Sequence, residues 1–316
     1  MDFDKIVIIT QKTWLDGLVE QYGSKEQAKF YIEHMGGSFD DYYQAHERYY
    51  HSLRTLKQSI PLNQKYQVIE REFLPNFLFN DSDLVVVLGR DGLVVNTAKY
   101  LDAQPILALN PDPHRIDGVL IPFGVDTVRE QLRLIHDGDQ PTIRITLSQA
   151  SLSTQQRIYG VNDLFIGHQS HQSARYTIKY RGYEESHSSS GIIVSTGVGS
   201  TGWFKSIISG ALGIANGFYG RTSDPLAEDD YRVPWDADLL HFCVREPWSS
   251  KVTGSNIVFG QIHPGEELVV ESRMPEGGVI FSDGIERDYL SFSSGTIATV
   301  GIADKKATLF VRRDTT

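Results

Sequence analysis

The sequence predicts an α/β plus β-rich protein, with an N-terminal doubly wound α/β domain over residues 1–140 and a C-terminal β-sandwich-like domain over residues 141–316. Three observations carry this reading. Leu84-Val85-Val86-Val87-Leu88 is a continuous apolar run, the pattern of a parallel strand covered on both faces. It runs into the tight turn Gly89-Arg90-Asp91-Gly92 and then a helical face of Val94, Ala98 and Leu101. The next strand starts at Pro105-Ile106-Leu107-Ala108-Leu109, which completes a βαβ unit. Past residue 140 the pattern changes to β-like runs with few helical interruptions, and Gln140-Pro141 marks the boundary.

In chain order, Ile6-Val7-Ile8-Ile9 is β-branched and reads as a buried first strand. Ser24 with Gln27 three residues on is a helix-capping pair, and Gly36-Gly37 closes that helix. Tyr42, His46, Tyr49, Leu53 and Leu56 share one helical face, read as packing, with Pro61 ending the region and Gln67-Val68-Ile69 as a second strand. In the second half Ile143, Ile145 and Leu147 alternate, as do Tyr176, Ile178 and Tyr180. Further strands are expected at Ile192-Ile193-Val194, Leu268-Val269-Val270, Val279-Ile280-Phe281 and Leu309-Phe310-Val311, and one helix from Trp203 to Ile214.

The bulk numbers exclude several classes. With 40 acidic and 30 basic residues the formal net charge is −10, a field that repels long polyanions and argues against a nucleic-acid partner. A small anionic nucleotide stays compatible, because backbone N–H groups at a turn can hold phosphate locally. The single cysteine, Cys243, lies in the apolar run His241-Phe242-Cys243-Val244 and reads as a buried thiol. No apolar run reaches the roughly 18 residues of a membrane span. Met1-Asp2-Phe3-Asp4 lacks the basic start of a signal peptide, and a cytoplasmic setting is expected.

Three clusters carry chemistry. The turn Gly89–Gly92 sits where open α/β sheets bind ligands, beyond the carboxyl end of a strand and at a helix N-terminus. Asp91 beside a phosphate site reads as a Mg²⁺ ligand, as a base toward an attacking hydroxyl, or as a helix cap. The second cluster, Gly197-Val198-Gly199-Ser200-Thr201-Gly202, matches G-x-G-x-x-G, with Asp224 at the spacing of a dinucleotide fingerprint. That would suggest a Rossmann oxidoreductase, but the turn falls in the β-rich half and Asp224-Pro225 reads as a loop. The third, Asn162-Asp163, is a polar pair in an apolar run, read either as a site or as a turn. His168 and His171 lack further metal ligands at useful spacing, and Asp283-Gly284 reads as a hairpin turn or as a late family motif.

In order and spacing these clusters resemble the NAD kinase family, which carries a Gly-Gly-Asp-Gly turn, an Asn-Glu pair and a Ser-Thr-x-x-Gly-Ser segment. They correspond to Gly89-Arg90-Asp91-Gly92, Asn162-Asp163 and Ser195-Thr196-Gly197-Val198-Gly199-Ser200. The mitochondrial type is the most similar, through Asn110-Pro111-Asp112-Pro113-His114-Arg115, Ser189-Ser190-Gly191, Gly199-Ser200-Thr201-Gly202-Trp203 and Arg245-Glu246-Pro247. The resemblance implies transfer of the ATP γ-phosphoryl group, with Mg²⁺, to the 2′-hydroxyl of the adenosine ribose of NAD, giving NADP, in a homo-oligomer expected to be a dimer. It implies that Asp91 engages the ribose hydroxyl as base or through Mg²⁺, and that Gly89, Arg90 and Gly92 approach the phosphates. By the same resemblance Asn162 and Asp163 bind the adenosine half, with Asn110, Thr196, Gly199, Ser200 and Thr201 lining the site. Arg90 replaces a family glycine, at a cost of about 1–2 kcal/mol if the turn demands positive φ. It either adds positive charge to the triphosphate or fills the phosphate space. Leu93 replaces a threonine, and Asp163 is one methylene shorter than the usual Glu.

Overall fold

The computed structural model describes residues 3–220 and 227–313. Met1, Asp2, Asp224 and Pro225 lie outside the described residues, so the N-terminal reading and the acidic member of the dinucleotide fingerprint are not placed. The chain divides into two compact units, Met1–Ile143 with Thr308–Thr316, and Arg144–Ala307. The division falls three residues past Gln140, and the first unit regains a stretch from the far end of the chain.

The first unit comprises β1 (Lys5–Thr10), α1 (Trp14–Tyr22), α2 (Lys25–His34), α3 (Phe39–Ser59), β2 (Lys65–Glu70), β3 (Asp83–Leu88), α4 (Asp91–Ala98), β4 (Pro105–Asn110), the short β5 (Phe123–Gly124) and α5 (Val128–Asp137). Its strands run parallel in the order β2-β1-β3-β4. Every residue of β3 is buried, as the apolar run requires. On one face, Tyr49, Leu53 and Leu56 of α3 and Val128, Leu132 and Ile135 of α5 pack on Ile6, Ile8, Leu84, Val86 and Leu107. The aromatic stripe of α3 is therefore core at Tyr49, while Tyr42 stays exposed. Ser24 caps α2, its hydroxyl accepting the Gln27 amide at 3.2 Å. Gly36 follows that helix at φ +79°, a left-handed turn that glycine adopts without a Cβ penalty.

The strand order places β2 and β3 on opposite sides of β1. Connections leave the sheet in opposite directions there, and the carboxyl ends of β1 and β3 frame the crevice where open α/β sheets bind ligands. The turn Gly89–Gly92 follows β3 at that point.

The second unit comprises β6 (Thr142–Leu152), β7 (Arg157–Gly160), β8 (Asp163–His168), β9 (Ala174–Tyr180), β10 (Tyr183–Ser189), β11 (Ile192–Ser195), α6 (Trp203–Tyr219), β12 (Leu240–Val244), β13 (Phe259–Ile262), β14 (Leu268–Ser272), β15 (Gly278–Ser282), β16 (Tyr289–Ser291) and the greater part of β17 (Ile297–Phe310). One sheet has the order β13-β12-β11-β8-β15-β16, antiparallel throughout. Strands β10-β9-β14-β17 form the other, with β6 and β7 joined to it. Leu164, Ile166, Ile192, Val194 and Phe242 from the first sheet and Tyr176, Ile178, Leu268, Val270 and Val300 from the second fill one core, so the unit is sandwich-like. The start of α6 covers the outer face of the first sheet through Trp203, Phe204, Ile207 and Ile208.

β11 leads into Gly197–Gly202 but is antiparallel to both of its neighbours, β8 and β12. The turn opens no βαβ unit, which removes the oxidoreductase reading. At the other end of the chain, Thr308 and Leu309 of β17 pair in parallel with Pro105 and Ile106 of β4, extending the sheet of the first unit.

Candidate functional site

In the first unit, Arg90 caps α4 with extended backbone, φ −98° and ψ 169°, and neither Gly89 nor Gly92 has positive φ. The expected strain at Arg90 is therefore absent: the turn does not use the left-handed region. Gly89 is needed for space instead, since a Cβ there would lie 2.7 Å from Leu93 Cδ2. Leu93 is the residue that fills this space. Gly92 has open space around it. The Arg90 side chain is exposed and has no partner among the described residues.

Asp91 is half-buried at the first position of α4, and both its oxygens accept backbone amides, Oδ2 from Val119 and Oδ1 from Leu120, each at 3.0 Å. A carboxylate here is thus oriented by two fixed donors and anchors the loop after β4. The same loop, with Asn110, Gly118, Ile121, Gly124 and Arg312, lines a cavity of about 440 Å³, a size suited to a small ligand. Asn110 is buried and committed within this loop: Nδ2 donates to the Ile116 carbonyl at 2.8 Å and Oδ1 accepts the Asp112 amide at 2.9 Å. It shapes the loop rather than presenting a free side chain.

In the second unit, Asn162 and Asp163 sit at the entry to β8, and Thr196 and Gly199 pack directly on them. The Thr196 amide donates to the Asn162 carbonyl at 3.0 Å, and its hydroxyl donates to the Val161 carbonyl. A Cβ at Gly199 would run into the Asn162 carbonyl, and one at Gly197 into the Pro234 carbonyl. These glycines allow loop-on-loop packing. Ser200 donates to the Gly197 carbonyl at 2.7 Å and accepts the Val233 amide at 3.1 Å. Thr196 and Ser200 are buried with their hydroxyls engaged internally, whereas Thr201 is exposed. By contrast the side chains of Asn162 and Asp163 have no hydrogen-bond partner among the described residues. They are the uncommitted polar groups of this cluster.

The residue that sequence reading did not place here is Asp283, in the turn after β15. Its Oδ1 accepts the amides of Val161 at 3.0 Å, Asn162 at 2.7 Å and Asp163 at 3.3 Å. Burial, with the nearby Asp283 charge adding to it, pushes the Asp163 carboxyl up to about 7. Cys243 is buried, as expected, and burial pushes its thiol up to about 12.

Among the described residues no group of three or more His, Cys, Asp and Glu side chains is placed to hold a metal ion. His168 Nδ1 accepts the Ser170 amide at 3.1 Å, a local loop contact. Asp91, a single carboxylate, fits a Mg²⁺ ion held mainly by substrate phosphates, the usual arrangement for that ion.

No family model matches the chain. A curated relative described as a probable NADH kinase, from Oryza sativa subsp. japonica, is 26% identical over 226 residues, covering 64% of this chain. The chain spans 63% of that relative's length. Yeast NADH kinase, solved in complex with NADH, superposes with a TM-score of 0.61 at 14% identity, over 100% of this chain and 85% of that one. This chain has the NAD kinase fold. An NAD kinase from Archaeoglobus fulgidus, solved with ATP, agrees, with a TM-score of 0.58 at 16% identity over 98% of this chain and 94% of that one. The NAD kinase fold accounts for both expected halves, the doubly wound sheet and the β-sandwich.

Proposed function

We propose that the protein is an NAD kinase, transferring the γ-phosphoryl group of ATP to the 2′-hydroxyl of the adenosine ribose of NAD. The observation that carries this reading is Asp91. It stands at the carboxyl end of β3, at the crevice of the sheet, with both oxygens fixed by backbone amides. Phosphoryl transfer asks the protein for positioning and charge rather than covalent chemistry. Asp91 is assigned to the reacting hydroxyl, as acceptor of its proton. Arg90, exposed and unpaired among the described residues, is assigned to the phosphates, to which guanidinium offers bidentate donors. Gly92, open on its Cα side, lets them approach the helix N-terminus. Asn162 and Asp163, with uncommitted side chains, are assigned to the adenosine half, and Thr201 to the rim.

Mg²⁺ enters with ATP in this reading and supplies charge neutralisation on the β- and γ-phosphates; Asp91 is the residue that would hold it. A reducing, cytoplasmic setting suits the single buried thiol. The homodimer proposed here is supported by the second half of α6, where Ile214 and Phe218 are 74% and 82% exposed and no charged residue occurs after Lys205. Sedimentation equilibrium tests it.

The deciding experiment is NADP formation by purified protein from NAD, ATP and Mg²⁺, with NADH as the competing acceptor. Asp91→Asn is expected to lose at least about 10²-fold in kcat while retaining NAD binding, the scale of a proton-transfer role. A fully active Asp91→Asn protein would falsify the assignment.

A further inference from the structure

We infer that Asp283 is a positioning residue of the Asn162-Asp163 turn, locking its backbone so that these two side chains face the adenosine half of the dinucleotide. This rests on the kinase reading for the ligand and on the geometry for the lock. Three consecutive amides, from Val161, Asn162 and Asp163, converge on one Asp283 oxygen, and its other oxygen also takes the Val161 amide at 3.3 Å. The contact is reciprocal, since the Asp283 amide donates to the Asp163 carbonyl at 3.0 Å. Asp283 adopts φ +58°, and Gly284 after it φ +69°. A non-glycine residue stays in the left-handed region only where its surroundings hold it, and aspartate tolerates that region best when its carboxylate bonds nearby backbone.

The lock explains a division of labour. Among the polar residues gathered at this turn, Thr196 and Ser200 are buried and engaged, and Asp283 is engaged by three amides. The side chains of Asn162 and Asp163 have no hydrogen-bond partner among the described residues, and their direction is set by the backbone that Asp283 holds. The same carboxylate acts on Asp163 through charge. The ionisable groups near Asp163 among the described residues are Asp283, from the turn after β15, and two residues of β12: His241, in register with Asp163 across Ser195 of β11, and Cys243 two positions further along. Burial and the Asp283 charge hold the Asp163 proton to about pH 7, so Asp163 gains donor capacity toward a ribose or base acceptor near neutrality.

Asp283→Asn removes the charge and replaces one acceptor by a donor, with little change in shape. In the full chain, amide exchange at residues 161–163 is expected to accelerate about tenfold, and the Asp163 titration, followed by carboxyl ¹³C NMR, to move below 7. KM for NAD is expected to rise about tenfold with kcat nearly unchanged and KM for ATP unaffected, as loss of one charged hydrogen-bond set predicts. Wild-type exchange, titration and KM in a folded Asp283→Asn protein overturn the proposal. So does faster exchange with unchanged NAD affinity, which would make Asp283 structural only. If that variant does not fold, Asp163→Asn decides: it should keep slow exchange at residues 161 and 162 and lose the pH dependence of NAD affinity around 7, and retention of that dependence overturns the proposal. A wild-type protein that binds NAD by calorimetry without phosphorylating it fails the kinase reading alone, and the affinity measurements still decide the role of Asp283. A wild-type protein that binds no NAD overturns both the kinase reading and the recognition role.

Discussion

The hydroxyl of Tyr49 donates to the carbonyl of Leu88 at 3.2 Å and accepts the amide of Gln11 at 3.0 Å. One side chain of α3 therefore joins the ends of β3 and β1, the two strands whose divergence opens the crevice. Burial pushes the phenol well above its ordinary value, so it is a neutral bridge at any working pH. Tyr49→Phe removes the hydroxyl partner of the buried Leu88 carbonyl and of the half-buried Gln11 amide. Urea denaturation should show a loss of about 1–3 kcal/mol, the cost of stranding such groups.

Arg90 is testable because its backbone asks nothing special of it. Arg90→Gly relieves no strain, so the melting temperature should not rise. If the guanidinium serves the triphosphate, KM for ATP should increase about tenfold, in line with a lost charge-assisted hydrogen bond. A gain in kcat would instead show that Arg90 obstructs the site.

Asp163 gives a pH signature in stability. Its carboxyl titrates near 7 when folded, against an ordinary value of 3.8, so the folded state binds more protons between those limits. Stability should therefore fall as pH rises from about 4 to about 7, by an amount on the order of a few kcal/mol, and level off above it. Asp163→Asn should flatten this slope in thermal melts across the window, while a slope identical to wild type would assign it to another group.

Gly199→Ala is expected to be costly. The methyl group would collide with the Asn162 carbonyl, and backbone on both sides has little room to yield. A loss of about 1–3 kcal/mol, typical of forced overpacking, should appear with weakened NAD binding. Gly210→Ala, where nothing lies within 4 Å, is the control and should be stabilising or neutral.

Much of the fold was legible because its strands are apolar. β1, β3, β4 and β14 declare themselves by continuous apolar runs, and β6 and β9 by alternation. β10 does not: Tyr183–Ser189 reads YEESHSS, and its buried positions, His187 and Ser189, are polar. His187 meets Glu185 at 2.7 Å, and Ser189 meets the Tyr176 hydroxyl at 2.8 Å. No hydropathy pattern signals a strand buried that way. The candidate site was half legible. Local motifs pointed to Asp91, Asn162 and Asp163 as candidates, but they did not separate side chains left uncommitted, as those of Asn162 and Asp163 are, from those engaged within the fold, as those of Asn110, Thr196 and Ser200 are. Asp283 joins residues 120 to 122 positions away, and a single Asp-Gly pair carries no trace of that contact.

The short parallel pairing of Thr308 and Leu309 with β4 has a consequence for biosynthesis. Phe310 belongs to the core of the first unit, and the Val311 carbonyl accepts the Gln140 side-chain amide. A ribosome that has just finished residue 143 has made most of the first unit's sheet but not its last strand, and must read through the entire β-sandwich before that sheet is complete. The half made first is thus the half finished last, and a nascent chain stalled inside the sandwich would hold an unfinished edge open to misfolding or to chaperones.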